Sequence, residues 1–104
     1  MTQLTNVAFL RAQPDQTQAL GTALSALVEP TRAEPGCLNY DLHQSRDDTG
    51  VWFVYENWRS AEGFSVHMQS EHLRAFPKAA PDLIAGDMDL RQFAMISKNP
   101  SPCA

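Results

Sequence analysis

Three residues of this chain carry side chains suited to binding a polar ligand and accepting a proton from it: Asn6, Trp58 and His67. An imidazole has an ordinary pKa of about 6.5, so at neutral pH it can accept a phenolic proton that an ordinary carboxylate accepts poorly. A carboxamide can hold a hydroxyl group or stabilise its anion, and an indole N–H can donate a hydrogen bond. His67 is therefore the predicted base, and Asn6 is predicted to bind the hydroxyl group of the ligand. Both residues also suit a buried structural role.

Hydrophobic patterning predicts the strands that position these residues. Residues 4–11 are apolar on both sides, which is typical of a strand covered on both faces. Residues 51–58 are the most apolar and aromatic part of the chain and predict a central strand. Alternating patterns over residues 37–45 and 88–97 predict two further strands.

Capping residues and prolines predict the helical segments between the strands. Asp15 is expected to cap a first helix, which Pro30 should kink or shorten by its last turn. Ser60 is expected to cap a second helix that begins directly after the aromatic strand. Pro77 and Pro81 are expected to interrupt the helical pattern further along the chain.

The predicted order of strand, helix, strand, strand, helix, strand indicates an α+β fold of the ferredoxin-like, split βαβ type. Its antiparallel four-stranded sheet would carry the helices on one face, with strands 4–11 and 51–58 as central neighbours. Both of these strands are apolar on both faces, whereas two helices can cover only one face of the sheet. A second copy of the chain is the expected cover of the other face, so the sequence predicts a homodimer through the sheet face.

In this fold the catalytic candidates converge at one end of the sheet. Antiparallel pairing of the central strands places Asn6 beside the end of strand 51–58, which carries Glu56 and Trp58. The helix that follows should bring Phe64 and His67 back over the same end. The result would be an apolar pocket with a few polar groups, which suits a flat aromatic ligand.

Composition and charge narrow the class of protein. The chain has 104 residues, 43% of them hydrophobic and 19% charged, which predicts one globular domain over residues 1–98 and a disordered Pro/Ser tail at 99–104. The formal net charge of −4 argues against nucleic acid or an anionic membrane as a partner. With two cysteines and neither a basic leader nor a long apolar run, a reduced, cytoplasmic location is expected.

Three blocks of sequence, in this order, resemble those of the antibiotic biosynthesis monooxygenase (ABM) family. They are Glu-Pro-Gly-Cys-Leu-Asn-Tyr at 34–40, Tyr-Glu-Asn-Trp-Arg-Ser at 55–60, and His-Met-Gln-Ser-Glu-His-Leu-Arg-Ala-Phe at 67–76. The resemblance covers residues 4 to 96 and implies a small dimeric α+β barrel. It also favours Trp58 as a wall of the pocket and as a third catalytic residue.

The pocket prediction and the resemblance together indicate which residues bind substrate. They are Tyr40, Glu56, Phe64, Met68, His72 and Phe76. The buried carboxylate of Glu56 would need a partner, for which Arg59, Arg91 or a backbone donor are candidates. His67 and His72 lie about 140° apart around an ideal helix and do not form an i,i+4 pair. No metal site is therefore predicted.

Members of the family resemble one another in fold and differ in chemistry. The leading prediction is a cofactor-independent monooxygenase that oxidises an aromatic quinol or a polycyclic phenol with O2. Haem degradation is an alternative, although the position of the haem-ligating histidine falls at Pro77. A non-catalytic dimeric binding module for an aromatic metabolite and an isomerase of the same fold are further alternatives.

Overall fold

The computed structural model describes residues 3–97. These residues form four strands and three helices. The strands are β1 (Leu4–Arg11), β2 (Cys37–Gln44), β3 (Val51–Trp58) and β4 (Asp89–Phe93), and the helices are α1 (Thr17–Arg32), α2 (Ala61–Met68) and α3 (Glu71–Leu83). None of these helices is long and apolar enough to cross a membrane.

The strands form one antiparallel sheet in the order β2-β3-β1-β4. The predicted α+β, ferredoxin-like architecture is therefore confirmed, with β1 and β3 as the central pair. Their register places Asn6 opposite Glu56 and Leu4 opposite Trp58. The end of β3 and the start of α2 thus lie beside the start of β1, as the catalytic candidates require.

The two faces of the sheet differ in burial. On the inner face Ala8, Leu10 and Val54 are buried beneath a stripe of α1 leucines at positions 20, 24 and 27. On the outer face Phe9 remains 39% exposed and stacks on Phe53 at a centroid distance of 5.2 Å. The helices therefore cover one face, and an aromatic face stays open in the single chain.

The predicted start of the first helix is wrong. Asp15 has a φ of 64° and lies in a turn, so its carboxylate does not reach the free amides of α1. Gln16 is the N-cap residue and makes no capping bond through its side chain. Pro30 lies within α1, which continues to Arg32, so this proline does not split off the last turn.

The predicted interruption at Pro77 and Pro81 is also wrong, because both prolines lie inside α3. They are four residues apart and both exposed, so they share a solvent-facing side where water can satisfy the carbonyls that lose a donor. The predicted cap at Ser60 is confirmed, since its side chain accepts a bond from the backbone amide of residue 63. Ser70 caps α3 in the same way, accepting from the amide of residue 73. The helical segment after β3 is thus two helices rather than one.

The last strand is shorter than predicted. β4 covers Asp89–Phe93, whereas the alternating pattern suggested 88–97. Residues 94–97 are exposed and unpaired in the sheet, because the partner strand β1 pairs with β4 only from Phe9 back to Thr5. The tail at 99–104, for which disorder is expected, lies outside the described residues.

Candidate active site

A cavity of about 60 Å³ lies between the inner face of the sheet and the helices. It occupies the position predicted for the pocket, and most of its lining is aliphatic or aromatic. Six of the predicted site residues line it: Tyr40, Glu56, Phe64, His67, Met68 and Phe76. Glu56 and His67 contribute a carboxyl group and an imidazole to this lining, so the cavity offers acid–base chemistry in an apolar setting.

His67 is held as an oriented base. Its side chain is only 3% exposed, and its Nδ1 lies 2.8 Å from Oε2 of Glu34. An ionised carboxylate can only accept, so in the neutral imidazole Nδ1 carries the proton and Nε2 has the lone pair. Nε2 makes no hydrogen bond within residues 3–97, and the ring stacks at a tilt on Trp58 with centroids 4.6 Å apart. The imidazole is fixed, with its basic nitrogen left for a ligand in the cavity.

Glu34 is a site residue that sequence reasoning missed. It lies in the loop between α1 and β2, and its Oε2 accepts bonds from both His67 Nδ1 and His72 Nε2, each at 2.8 Å. The available signal was the position of Glu34 at the head of the block at 34–40, whose partner block at 67–76 starts with one of these histidines. A glutamate in one block and two histidines in another are consistent with direct contact.

Two glycines bring the loop of Glu34 against α2. A Cβ added to Gly36 would lie 2.9 Å from the Cα of Gly63, so the two backbones approach too closely for any side chain. The backbone amide of Arg59 also donates to the carbonyl of Gly36 at 2.9 Å. This contact fixes the separation between the loop and α2, and with it the bond between Glu34 and His67.

The assumption that His67 and His72 share one helix is wrong. α2 ends at Met68, and Ser70 starts α3, so the two histidines project from different helices. The hydroxyl of Ser70 donates to the carbonyl of His67 at 2.7 Å, which tightens the turn between the helices. Both rings therefore face Glu34. His72, which was expected to bind substrate, is absent from the part of the cavity lining that the structure describes.

Glu56 is buried, and its partners differ from those predicted. Its Oε1 accepts from Trp58 Nε1 at 2.8 Å and from Asn6 Nδ2 at 3.2 Å. Arg59 and Arg91 are engaged elsewhere, with the carbonyl of residue 35 and the carboxylate of residue 89. Burial raises the pKa of Glu56, and the two hydrogen bonds oppose that effect. Oε2 makes no hydrogen bond within residues 3–97 and remains available to a ligand.

Asn6 and Trp58 therefore sit behind Glu56. Both are fully buried, and neither lines the described part of the cavity. The structure therefore shows neither residue in direct contact with the cavity, and both donate to the carboxylate of Glu56. Trp58 lies against His67, with ring centroids 4.6 Å apart, while Asn6 contacts Glu56. The role of both residues in catalysis stays a prediction that runs through Glu56.

Tyr40 and Cys37 are both neutral at physiological pH. Burial is the main cause that raises the pKa of the Tyr40 phenol, which therefore keeps its proton. Burial likewise raises the pKa of the Cys37 thiol, so a nucleophilic role is disfavoured, as the sequence indicates. Tyr40 contributes a wall of the cavity, with its ring 5.8 Å from that of His67.

Solved structures of other proteins share this fold along nearly their whole length. The crystal structure of PA3566 from Pseudomonas aeruginosa has a TM-score of 0.89 and 36% identity, covering 93% of this chain and 97% of that one. The structure of Rv0793 from Mycobacterium tuberculosis also has a TM-score of 0.89, with 28% identity, and covers 95% of this chain and 100% of that one.

Sequence comparison leads to the same group of proteins. The curated protein named "Putative monooxygenase Rv0793" is 39% identical over 66 residues, 64% of this chain and 64% of that protein. The protein sll1783 of Synechocystis is 24% identical over 82 residues, 79% of this chain and 56% of that protein. The matched part thus spans between about half and two thirds of these curated relatives. Because residues 3–79 match the profile of the family described as "Antibiotic biosynthesis monooxygenase", the chain belongs to that family.

Proposed function

We propose that the protein is a cofactor-independent monooxygenase that oxidises an aromatic quinol or polycyclic phenol with O2. The observation that carries this proposal is the buried imidazole of His67 at an apolar cavity, with Nδ1 bonded to Glu34 and Nε2 left free. A base in this state can remove a phenolic proton inside a site closed to bulk water. Membership of the family and the name of the relative Rv0793 support the same class of reaction.

The substrate supplies all the electrons in this reaction. His67 removes the phenolic proton, and the electron-rich anion passes one electron to O2. The resulting radical pair combines at a ring carbon that bears hydrogen, and His67 returns its proton to the peroxide. Removal of the ring hydrogen and cleavage of the O–O bond then release one water and leave a carbonyl. One oxygen atom enters the ring and the other becomes water, so phenol and O2 balance quinone and water.

Glu56 is suited to orient the substrate. Its Oε2 faces no protein donor among residues 3–97, while Oε1 is fixed by Trp58 and Asn6. A second hydroxyl of a quinol can donate to this oxygen while the first lies against His67. The hydrogen bonds from Trp58 and Asn6 would then position the substrate through Glu56, which gives both residues a part in catalysis without direct contact.

Entry of an aromatic ring requires side chains to move. The cavity of about 60 Å³ is smaller than the ~150 Å³ that accommodates benzene in a protein interior. Met68 and Met88 line it and are each 46% exposed, so they form its mouth. Methionine side chains are unbranched and adapt readily to a new shape. We therefore infer that the substrate enters between these two residues.

Oxygen uptake by chelator-treated protein with a reduced naphthoquinol tests the proposal, after subtraction of the uncatalysed rate. We expect one O2 to be consumed per quinol. When the reaction is run under ¹⁸O₂, one ¹⁸O atom should be incorporated into the product. Tight binding of several quinols and phenols without turnover would contradict the oxygenase and identify a binding module instead.

We also propose that the protein is a homodimer through the open sheet face. Phe9, Tyr55 and Phe93 lie on that face with 39%, 37% and 50% of their surface exposed. Together with Phe53 they form an aromatic patch, and burial of such a surface favours association. An isologous contact would place the same patch of two copies against each other.

Light scattering coupled to gel filtration tests the dimer. We expect a mass of two chains for the unaltered protein and of one chain for Phe9→Arg, because a buried unpaired charge opposes the contact. Val66→Arg is the matched control, since Val66 is 58% exposed on α2 and away from the sheet. A monomeric unaltered protein, or loss of the dimer in the control, would contradict the proposed interface.

A further inference from the structure

We propose that Glu34, His67 and His72 bind one divalent transition-metal ion of the zinc class, and that this ion switches off the base at the cavity. The metal site is argued from the cluster itself. The effect on catalysis rests on the proposed function, and the two parts are tested by separate measurements.

The donor atoms suit such an ion. A carboxylate oxygen and two imidazole nitrogens, one from each residue, all lie within 4.8 Å of one another. Carboxylate and imidazole are ordinary zinc ligands, with bonds of about 2.0–2.2 Å that place neighbouring donors roughly 3.4 Å apart in tetrahedral geometry. The two contacts of 2.8 Å would open and the two nitrogens would draw closer. Small side-chain rotations supply both changes, because the residues come from a loop and two separate helices.

The charge balance of the cluster favours a cation. The Glu34 side chain is only 12% exposed, and a carboxylate removed from water needs a compensating charge. Within residues 3–97 its ion-pair partners are the two histidines, and no lysine or arginine lies within reach. Neutral imidazoles donate hydrogen bonds without supplying charge. A divalent ion supplies it, and the ligands need not be protonated.

A second observation points to the same place. Oε1 of Glu34 is buried and has no hydrogen-bond partner among the described residues, while Oε2 takes both bonds. An unpaired buried carboxylate oxygen is costly, and a metal ion can use either oxygen or both. His72 is 22% exposed at the outer side of the cluster, so an ion can reach it without crossing the cavity.

Metal binding and proton abstraction exclude each other at His67. A neutral imidazole has one proton and one lone pair. With Nδ1–H donated to Glu34, the lone pair lies on Nε2, which makes no hydrogen bond within residues 3–97 in a side chain that lines the cavity. When a metal binds Nδ1, the proton must move to Nε2, which then can no longer accept one from a substrate. Occupation of the site would therefore inhibit the proposed oxygenase.

Titration of the chelator-treated, full-length protein with Co²⁺, followed by displacement with Zn²⁺, tests the site. We expect one ion per chain and the visible absorption bands of four-coordinate Co²⁺. His72→Ala and Glu34→Gln should each lower the affinity at least tenfold, with folding verified by circular dichroism. His43→Ala is the matched control, because His43 packs on Phe53 on the outer face of the sheet, away from the cluster, and its loss should leave the affinity unchanged.

The outcomes separate the two parts of the proposal. The metal site would be overturned if the unaltered protein bound Co²⁺ no more tightly than His72→Ala does. It would also be overturned if His43→Ala lost as much affinity as His72→Ala. Both results would hold whatever the oxygenase activity. Saturating Zn²⁺ should abolish quinol-dependent oxygen uptake in the unaltered protein and inhibit His72→Ala by a much smaller fraction. Tight binding with unchanged or increased uptake would overturn the inhibition. If the protein has no oxygenase activity, the titration alone still tests the metal site.

Discussion

Replacing His67 with glutamine is expected to lower catalysed oxygen uptake by about 10²–10⁴-fold, the range that a positioned general base contributes. Glutamine keeps most of the volume of the side chain and can donate an N–H to Glu34, which otherwise loses a partner at 2.8 Å. It cannot accept a proton at neutral pH. The rate of oxygen uptake under saturating quinol, compared with the binding of the same quinol under nitrogen, separates loss of chemistry from loss of binding.

Matched variants identify the base. His43→Ala removes an exposed histidine and should leave the rate of oxygen uptake unchanged. Glu56→Gln keeps one acceptor oxygen, which can take the bonds that Trp58 and Asn6 donate to Oε1, and should weaken quinol orientation more than it slows chemistry. If His67→Gln keeps the rate of the unaltered protein while Glu56→Gln loses it, the base is Glu56 and the role assigned to His67 is wrong.

The sheet could be predicted from sequence because its signals are local and strong. The bounds of β1 and β3 match the predicted residues, since both strands are dense in branched and aromatic residues. Their antiparallel pairing followed from the order of the elements, and it brought Asn6 to Glu56. The position of His67 over the same end then followed from the short connection between Trp58 and α2.

The helices and polar partners were harder to predict because they depend on contacts distant in the chain. Pro77 and Pro81 are local helix breakers, yet α3 contains both, since its solvent-facing side tolerates the missing donors. The partner of a buried carboxylate also leaves no local trace. For Glu56 an arginine is the simpler expectation, whereas the indole of Trp58 on the same strand and the amide of Asn6 on the paired strand supply the bonds. Only tertiary packing decides between them.

Glu34 could not be predicted as a site residue for the same reason, because its contacts also depend on tertiary packing. Its bond to His67 joins residues 33 positions apart, and it depends on the close contact between Gly36 and Gly63. Spacing within the block at 67–76 suggested that the two histidines diverge. The chain instead breaks between α2 and α3, where Ser70 caps the new helix. His72 therefore projects from a helix with a different axis, and the angle calculated for a single helix does not apply.

Replacing Trp58 with phenylalanine is expected to destabilise the protein, and to do so more at pH 8 than at pH 4. Phenylalanine retains most of the apolar packing but removes the Nε1–H that donates to Glu56 at 2.8 Å. A hydrogen bond to a charged group contributes about 1.5–3 kcal/mol to the free energy of unfolding. Urea unfolding of both proteins across this pH range measures the difference.

The sign of the pH dependence follows from the state of Glu56. Burial raises its folded-state pKa above the ordinary value of 4.5, and the bond from Trp58 opposes that rise. A raised folded-state pKa lowers stability as pH increases, because ionisation then favours the unfolded chain. Loss of the bond raises the pKa further and extends this decline. Below the ordinary value Glu56 is mostly protonated in both states, so the variant loses only packing and a weaker hydrogen bond to a neutral carboxyl group.

A variant with Glu56→Gln provides the matched background for this prediction. Glutamine does not ionise, so Trp58→Phe should destabilise Glu56→Gln by an amount that does not change with pH. Glu56→Gln alone should be more stable relative to the unaltered protein at pH 8 than at pH 4, since it removes the buried charge. An effect of Trp58→Phe that is the same at both pH values in the unaltered background would mean that Glu56 is not ionised in the folded protein. The protonated carboxyl group would then donate a hydrogen bond toward the cavity, and the orientation of a quinol by an anionic Glu56 would have to be abandoned.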